Sequence, residues 1–145
     1  MLSKDFKEFI ALLNKNNVKY LIVGGYAVAF HGHPRYTKDV DIWIEINPEN
    51  ADKIVTSIKQ FGFDSLKLKQ EDFLISDQII QLGQPPNRID ILSTLSGVDF
   101  AKCYESRLQI EIDGININLI NLDNLKKNKQ ACGRLQDLAD IEKLE

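Results

Sequence analysis

Asp39 and Asp41 stand two residues apart in the run Asp39-Val40-Asp41-Ile42-Trp43-Ile44, and Asp90 stands inside a second apolar run, Arg88-Ile89-Asp90-Ile91-Leu92. Residues two apart on a strand share a face. Asp39 and Asp41 therefore project together, while Val40, Ile42 and Ile44 turn towards a core. Two carboxylates side by side repel, and each costs free energy to desolvate. A divalent cation between them relieves both penalties, and oxygen-only ligands select a hard ion: magnesium, with manganese as a substitute. An isolated Asp-x-Asp is more often a solvated strand edge. Asp90 changes that balance, because a third acid on a second strand completes a site for two metal ions that bracket an in-line displacement at phosphorus.

Gly24-Gly25 lies between an apolar run, Val18 to Val23, and a short helical stretch, Tyr26 to His31. A strand-to-helix junction of this kind exposes backbone N–H groups beside a positive helix end, a setting that binds phosphate. Glycine leaves room for the phosphate to approach. A plain tight turn is the competing reading. No Gly-Lys-Ser/Thr follows, so the junction is not a P-loop, and it is not a Gly-x-Gly-x-x-Gly fingerprint either. His31 and His33 flank a glycine without nearby cysteines and read as loop and packing residues. Trp43 shares the aspartate face, where it either stacks on a base or packs at the rim.

The elements that must position these residues follow from periodicity. Phe6, Phe9, Ile10, Leu12 and Leu13 recur at helical spacing up to Asn14–Asn17. Val18–Val23 and Asp39–Ile46 read as strands, the second preceded by Pro34, which ends the short helix. Asn47-Pro48-Glu49 is a helix start with Pro near the first turn, and Gly62 is its end. Gln78–Leu82 and Arg88–Leu92 read as strands separated by the turn Pro85-Pro86-Asn87, and Asp99–Glu105 as a helix. Leu108–Ile112 and Ile115–Ile120 form a hairpin on Asp113-Gly114. Helical sequence from Leu122 to Leu144, broken at Gly133, closes the chain. The order predicts an α/β (α+β) fold: one domain over residues 1–145, a mixed sheet flanked by helices, and a C-terminal helical segment.

Bulk properties are compatible with this picture. A chain of 145 residues with 43% hydrophobic residues can build a core without staples. Cys103 and Cys132 form no Cys-x-x-Cys pair and read as buried or half-buried thiols without chemistry, which suits a reducing cytoplasm. No apolar run approaches the ~20 residues of a membrane span, and no signal peptide is expected. A net charge of −3 argues against nonspecific coating of nucleic acid.

Taken together, Gly24-Gly25, then Arg35-x-Thr37-x-Asp39-Val40-Asp41, then Asp90 resembles the polymerase-β-type nucleotidyltransferase superfamily. The run from Gly24-Gly25-Tyr26-Ala27-Val28-Ala29 through His31-Gly32 to Asp39-Val40-Asp41-Ile42-Trp43 is similar to the AbiEii-toxin-like and lincosamide-nucleotidyltransferase-like groups. Lys129-x-x-x-Gly133-Arg134-x-x-Asp137-Leu138-x-Asp140-Ile141 resembles their closing helix signature. Gly25 stands where the commoner signature has serine, and Gln136 where a basic residue is frequent.

The resemblance implies an NTP whose phosphates lie over Gly24-Gly25, with Asp39 and Asp41 holding magnesium. Asp90 would join the second metal site and act as base for an acceptor hydroxyl. Lys129 and Arg134 are candidates to steady the departing pyrophosphate, or else are surface charges on an amphipathic helix. Arg35 either touches phosphate or pins its loop, and Thr37 bonds within that loop. Asp137 and Asp140 cap, pair with Arg134 or face solvent. The acceptor is open between a small molecule, a protein side chain and an RNA end. Two rivals remain: a catalytically idle, antitoxin-like partner for another protein, and a phosphohydrolase that uses water.

Overall fold

The computed structural model describes residues 3–32, 39–63, 67–84 and 88–144. Helix α1 (Lys4–Lys15) begins where the Ser3 hydroxyl accepts a hydrogen bond from the Phe6 amide, and Phe6, Phe9, Ile10 and Leu13 form its buried stripe. Leu12 shares the apolar pattern but is only half-buried. Strand β1 (Tyr20–Val23) is buried throughout and runs directly into α2 (Gly24–Phe30). Strand β2 is Asp39–Ile44, and α3 is Pro48–Phe61, capped by the Asn47 side chain and ended by a left-handed Gly62. A 3-10 turn, Gln70–Phe73, precedes β3 (Ile79–Leu82) and β4 (Arg88–Leu92). Helix α4 (Phe100–Glu105), the hairpin β5 (Leu108–Ile112) and β6 (Ile115–Leu119), and helices α5 (Leu122–Cys132) and α6 (Leu135–Leu144) complete the order.

The six strands form one mixed sheet in the order β3-β4-β2-β1-β6-β5. This is the expected α/β (α+β) class, a mixed sheet flanked by helices with a helical C-terminal segment. Strand β2 is antiparallel to β1 and parallel to β4, and β1 is parallel to β6. Helix α1 packs on α3 and β6, while α2 packs on β1 and β2 and touches α5. Among the described residues, no helix is long and apolar enough to cross a membrane.

Two strands are shorter than their apolar runs, Tyr20–Val23 and Asp39–Ile44, and one side chain binds backbone groups just beyond both. Asn50, 3% exposed, accepts from the Lys19 N–H at 2.8 Å and donates to the carbonyls of Lys19 and Glu45 at 3.1 and 2.9 Å. The first turn of α3 thereby takes over backbone groups at the start of β1 and just past the end of β2. The Lys19 carbonyl also accepts from the Glu45 N–H at 3.3 Å, so the clamp ties both strand ends to α3 and keeps their buried backbone groups paired. Trp43 is a further correction. It lies on the aspartate face but is 2% exposed, with its ring edge-to-face on Phe100 of α4 at 5.0 Å. Trp43 is therefore core and not a surface for stacking a base. Of the thiols, Cys103 is buried as expected, whereas Cys132 is exposed because it ends α5 beside the capping Gly133.

Asn50→Ala removes one acceptor and two donors from buried backbone partners. We expect it to cost roughly 2–4 kcal/mol in urea unfolding at unchanged m-value. A loss below about 0.5 kcal/mol would contradict the clamp.

Candidate active site

Parallel pairing of β2 with β4 sets Asp41 opposite Asp90 and Asp39 opposite Arg88. Alternation then places all four side chains on one face of the sheet. They line a cleft of about 540 Å³ together with Val23, Gly24, Lys129 and Arg134. That volume falls in the range of small-molecule sites. Asp90 is 8% exposed, whereas Asp39 and Asp41 are half-buried.

Gly24 carries the backbone past the acids in a left-handed conformation, with φ of +69°. A Cβ built there would overlap the Asp41 carboxylate, so glycine is required by the acid itself as well as by the turn. Gly24 lines the cleft. Gly25 sits one residue further into α2 and does not.

Arg88 is the residue that the sequence reading passed over. Its Nε donates to Asp90 Oδ1 at 2.9 Å, and its terminal nitrogen donates to Asp39 Oδ2 at 2.8 Å and to Asp90 Oδ2 at 3.2 Å. The spacing Arg88-x-Asp90 on a strand was the available signal, since it places cation and acid on one face. The hydrogen bond to Asp90 pushes the guanidinium pKa further up, so Arg88 stays charged.

Asp41 has no hydrogen-bond partner among the described residues. Burial, then the charges of Asp90 and Asp39, raise its pKa from 3.8 to about 7; Lys129 and Arg88 pull the other way by less. The donor set suits a hard divalent cation: three carboxylates, all oxygen, one of them short of positive charge. As the side chains stand, however, Arg88 bridges two of the three. Among the described residues, no group of three or more His, Cys, Asp or Glu side chains is arranged to hold a metal ion.

Of the two readings of Lys129, burial excludes the surface charge: it is 4% exposed, and its ammonium lies 3.2 Å from Asp137 Oδ1 and 3.1 Å from Asp140 Oδ2. Asp140 is fully buried, contrary to a solvent-facing role, and also accepts from the Gln136 amide at 2.9 Å. Asp137 is buried too. It caps α6 through the Arg134 N–H at 3.3 Å and pairs with the Arg134 side chain, Nε to Oδ2, at 2.6 Å. Burial works to raise the Asp137 pKa, but hydrogen bonds from Arg134 and Lys129 outweigh it, and the net direction is down. Arg134 keeps 74% of its side chain exposed at the cleft. His31 is a packing residue as expected, with Nε2 2.8 Å from the Ile120 carbonyl, a bond that requires the Nε2–H tautomer. Arg35, Thr37 and His33 lie outside the described residues.

Residues 2–145 match the family described as nucleotidyltransferase of unknown function (DUF6036). The chain belongs to that family. No curated protein matches this DUF6036 chain. Solved structures do. An antigenic nucleotidyltransferase-like protein from Paracoccidioides brasiliensis is 17% identical with a TM-score of 0.57, over 99% of this chain and 77% of that one. A Thermotoga maritima protein assigned to the nucleotidyltransferases is 15% identical with a TM-score of 0.60, over 95% and 88%. At these identities the likeness establishes the nucleotidyltransferase-like fold.

Two outcomes follow for the DUF6036 chain. Folded Asp41 holds its proton more tightly than unfolded Asp41, so its contribution to stability falls as pH rises from 3.8 towards about 7. In metal-free buffer at pH 8, Asp41→Asn should melt above wild type by about 3 °C or more. The gap should narrow at pH 5; a gap independent of pH would refute the burial argument. Lys129→Met removes the ammonium between two buried carboxylates and should cost roughly 3–5 kcal/mol in urea unfolding. Arg134→Ala, at an exposed side chain, should cost less than about 1 kcal/mol.

Proposed function

We propose that this chain is a magnesium-dependent nucleotidyltransferase that moves a nucleoside monophosphate from an NTP to an acceptor hydroxyl, releasing pyrophosphate. The observation that supports this best is the meeting of Asp39, Asp41 and Asp90 at one cleft, beside a Gly24 that has no room for a side chain. Membership of DUF6036 supports the reaction class.

In this reading Asp39, Asp41 and Asp90 are the ligands for Mg²⁺, or for Mn²⁺ in its place. The bound ion would supply charge neutralisation and Lewis acidity at the phosphoryl oxygens. The chain's own residues do the remaining work. The backbone at Gly24, which lines the cleft, is proposed to offer its amide to phosphate, with Gly25 behind it at the start of α2. Asp90 takes the proton from the acceptor hydroxyl as that oxygen attacks the α-phosphorus, and the bond to the pyrophosphate oxygen breaks in line with it. Negative charge then gathers on the leaving group, and Arg134, paired with Asp137 but largely exposed at the cleft, is the cation proposed to meet it. Lys129 acts on the site through its field, since its ammonium is committed to Asp137 and Asp140. Arg35 and Thr37 are proposed to complete the phosphate contacts.

We place the chain with the AbiEii-toxin-like and lincosamide-nucleotidyltransferase-like groups on the motifs quoted above, acting in the cytoplasm. A hydroxyl on a small molecule, a protein side chain or an RNA end would serve as acceptor, and the role would be toxin–antitoxin or resistance accordingly. One observation favours the alternative of an idle, antitoxin-like binding partner: Arg88 already bridges Asp39 and Asp90.

The deciding experiment incubates the chain with Mg²⁺, each α-labelled NTP and a cell lysate, and follows label into acceptor and release of pyrophosphate. Transfer should appear with wild type and fall at least about 100-fold in Asp41→Asn and Asp90→Asn. Undiminished transfer in Asp41→Asn would sink the assignment. Absence of transfer with every NTP would favour the idle partner.

A further inference from the structure

We propose that Arg88 is the cleft's resident counter-cation, which a divalent ion must displace and which then serves the nucleotide's phosphates. This inference rests on the nucleotidyltransferase reading for the identity of the incoming ligand.

The geometry carries it. Both oxygens of Asp90 accept from Arg88, at 2.9 and 3.2 Å, and Asp39 Oδ2 accepts from the same guanidinium at 2.8 Å. A charge-assisted fork of this kind is among the stronger polar contacts a protein makes. A metal ion bound through Asp90 and Asp39 needs the same oxygen lone pairs, so guanidinium and ion compete for one position. No other described cation is available to stand in. Lys129, the second cation near the acids, is held between Asp137 and Asp140. Arg134 is bonded to Asp137.

Arg88 can also leave without being lost. Its backbone is fixed in β4 between β2 and β3. Its side chain is 27% exposed and lines the cleft. Rotation away from the acids keeps the charge within the cavity that an NTP would fill. The exchange therefore puts the metal in the guanidinium's place on Asp39 and Asp90 and gives the released guanidinium a phosphate partner. Metal and nucleotide then bind cooperatively, because each removes a cost from the other.

The test titrates Mn²⁺ into the full, metal-free chain by calorimetry, comparing wild type, Arg88→Gln and Arg88→Lys. A non-hydrolysable NTP analogue is then titrated at saturating Mn²⁺. Without nucleotide, Arg88→Gln should bind Mn²⁺ about tenfold more tightly than wild type, with Arg88→Lys between them. With Mn²⁺ present, Arg88→Gln should bind the analogue about tenfold more weakly. Opposite signs in the two titrations are what a purely structural arginine would not give. Should Arg88→Gln fail to fold by circular dichroism, Arg88→Lys carries the same signs at smaller size. Equal Mn²⁺ affinity in wild type and variant overturns this inference and leaves the nucleotidyltransferase reading standing. Absence of Mn²⁺ binding in every form, with and without the analogue, overturns both.

Discussion

Asp41 and Asp90 are paired across the parallel register of β2 and β4, where neighbouring strands run about 5 Å apart. Two acids at that spacing, partly or fully removed from water, repel strongly. Every other feature of the cleft either compensates this repulsion or makes room for it. Arg88 neutralises Asp90 and Asp39, while Asp41 is left to hold a proton towards neutral pH. The sheet supplies the force that keeps the acids together. Val40, Ile42, Ile89 and Ile91, on the opposite face, are nearly inaccessible and join the core that buries them. The hydrophobic gain on one side of the sheet thus holds an electrostatically unfavourable arrangement on the other.

The C-terminal helices add a second layer of charge to the same cleft. Lys129 on α5 and Asp137 and Asp140 on α6 form a buried group whose charges are matched by Arg134 at its rim. A buried ion pair is weak evidence for stability, because desolvation offsets much of its attraction. Its effect here is positional: the ammonium is fixed between Asp137 and Asp140 and lowers the cost of charging Asp41. Helices α5 and α6, joined through the left-handed Gly133 and Arg134, are tied together by that contact.

Much of this was legible from spacing alone. The alternation of Asp39-Val40-Asp41-Ile42 announced a strand with acids on one side, and Asp113-Gly114 announced the hairpin, because short-range sterics decide both. The strand order was not legible, nor was the register that sets Asp41 against Asp90, since pairing depends on contacts between residues far apart in the chain. The choice between a site cation and a surface charge for Lys129 stayed open for the same reason. Its partners lie on the next helix, and a helical turn of polar residues looks alike whether it meets water or buried carboxylates. Trp43 shared the acids' face by count, but only the docking of α4 reveals that Phe100 covers it. Arg88 was visible as a neighbour of Asp90 and went unused because attention rested on the acids.

The close approach of Gly24 to Asp41 binds the histories of the two positions. While the carboxylate is present, any side chain at residue 24 collides with it. A descendant in which residue 41 had shrunk to alanine or serine would escape that collision, although the left-handed backbone would still prefer glycine, asparagine or aspartate. Among relatives of this chain, a filled position 24 should therefore accompany a missing acid. The smallest residue at the mouth of the cleft becomes a marker, readable without any assay, of which lineages have kept the carboxylate and which have let it go.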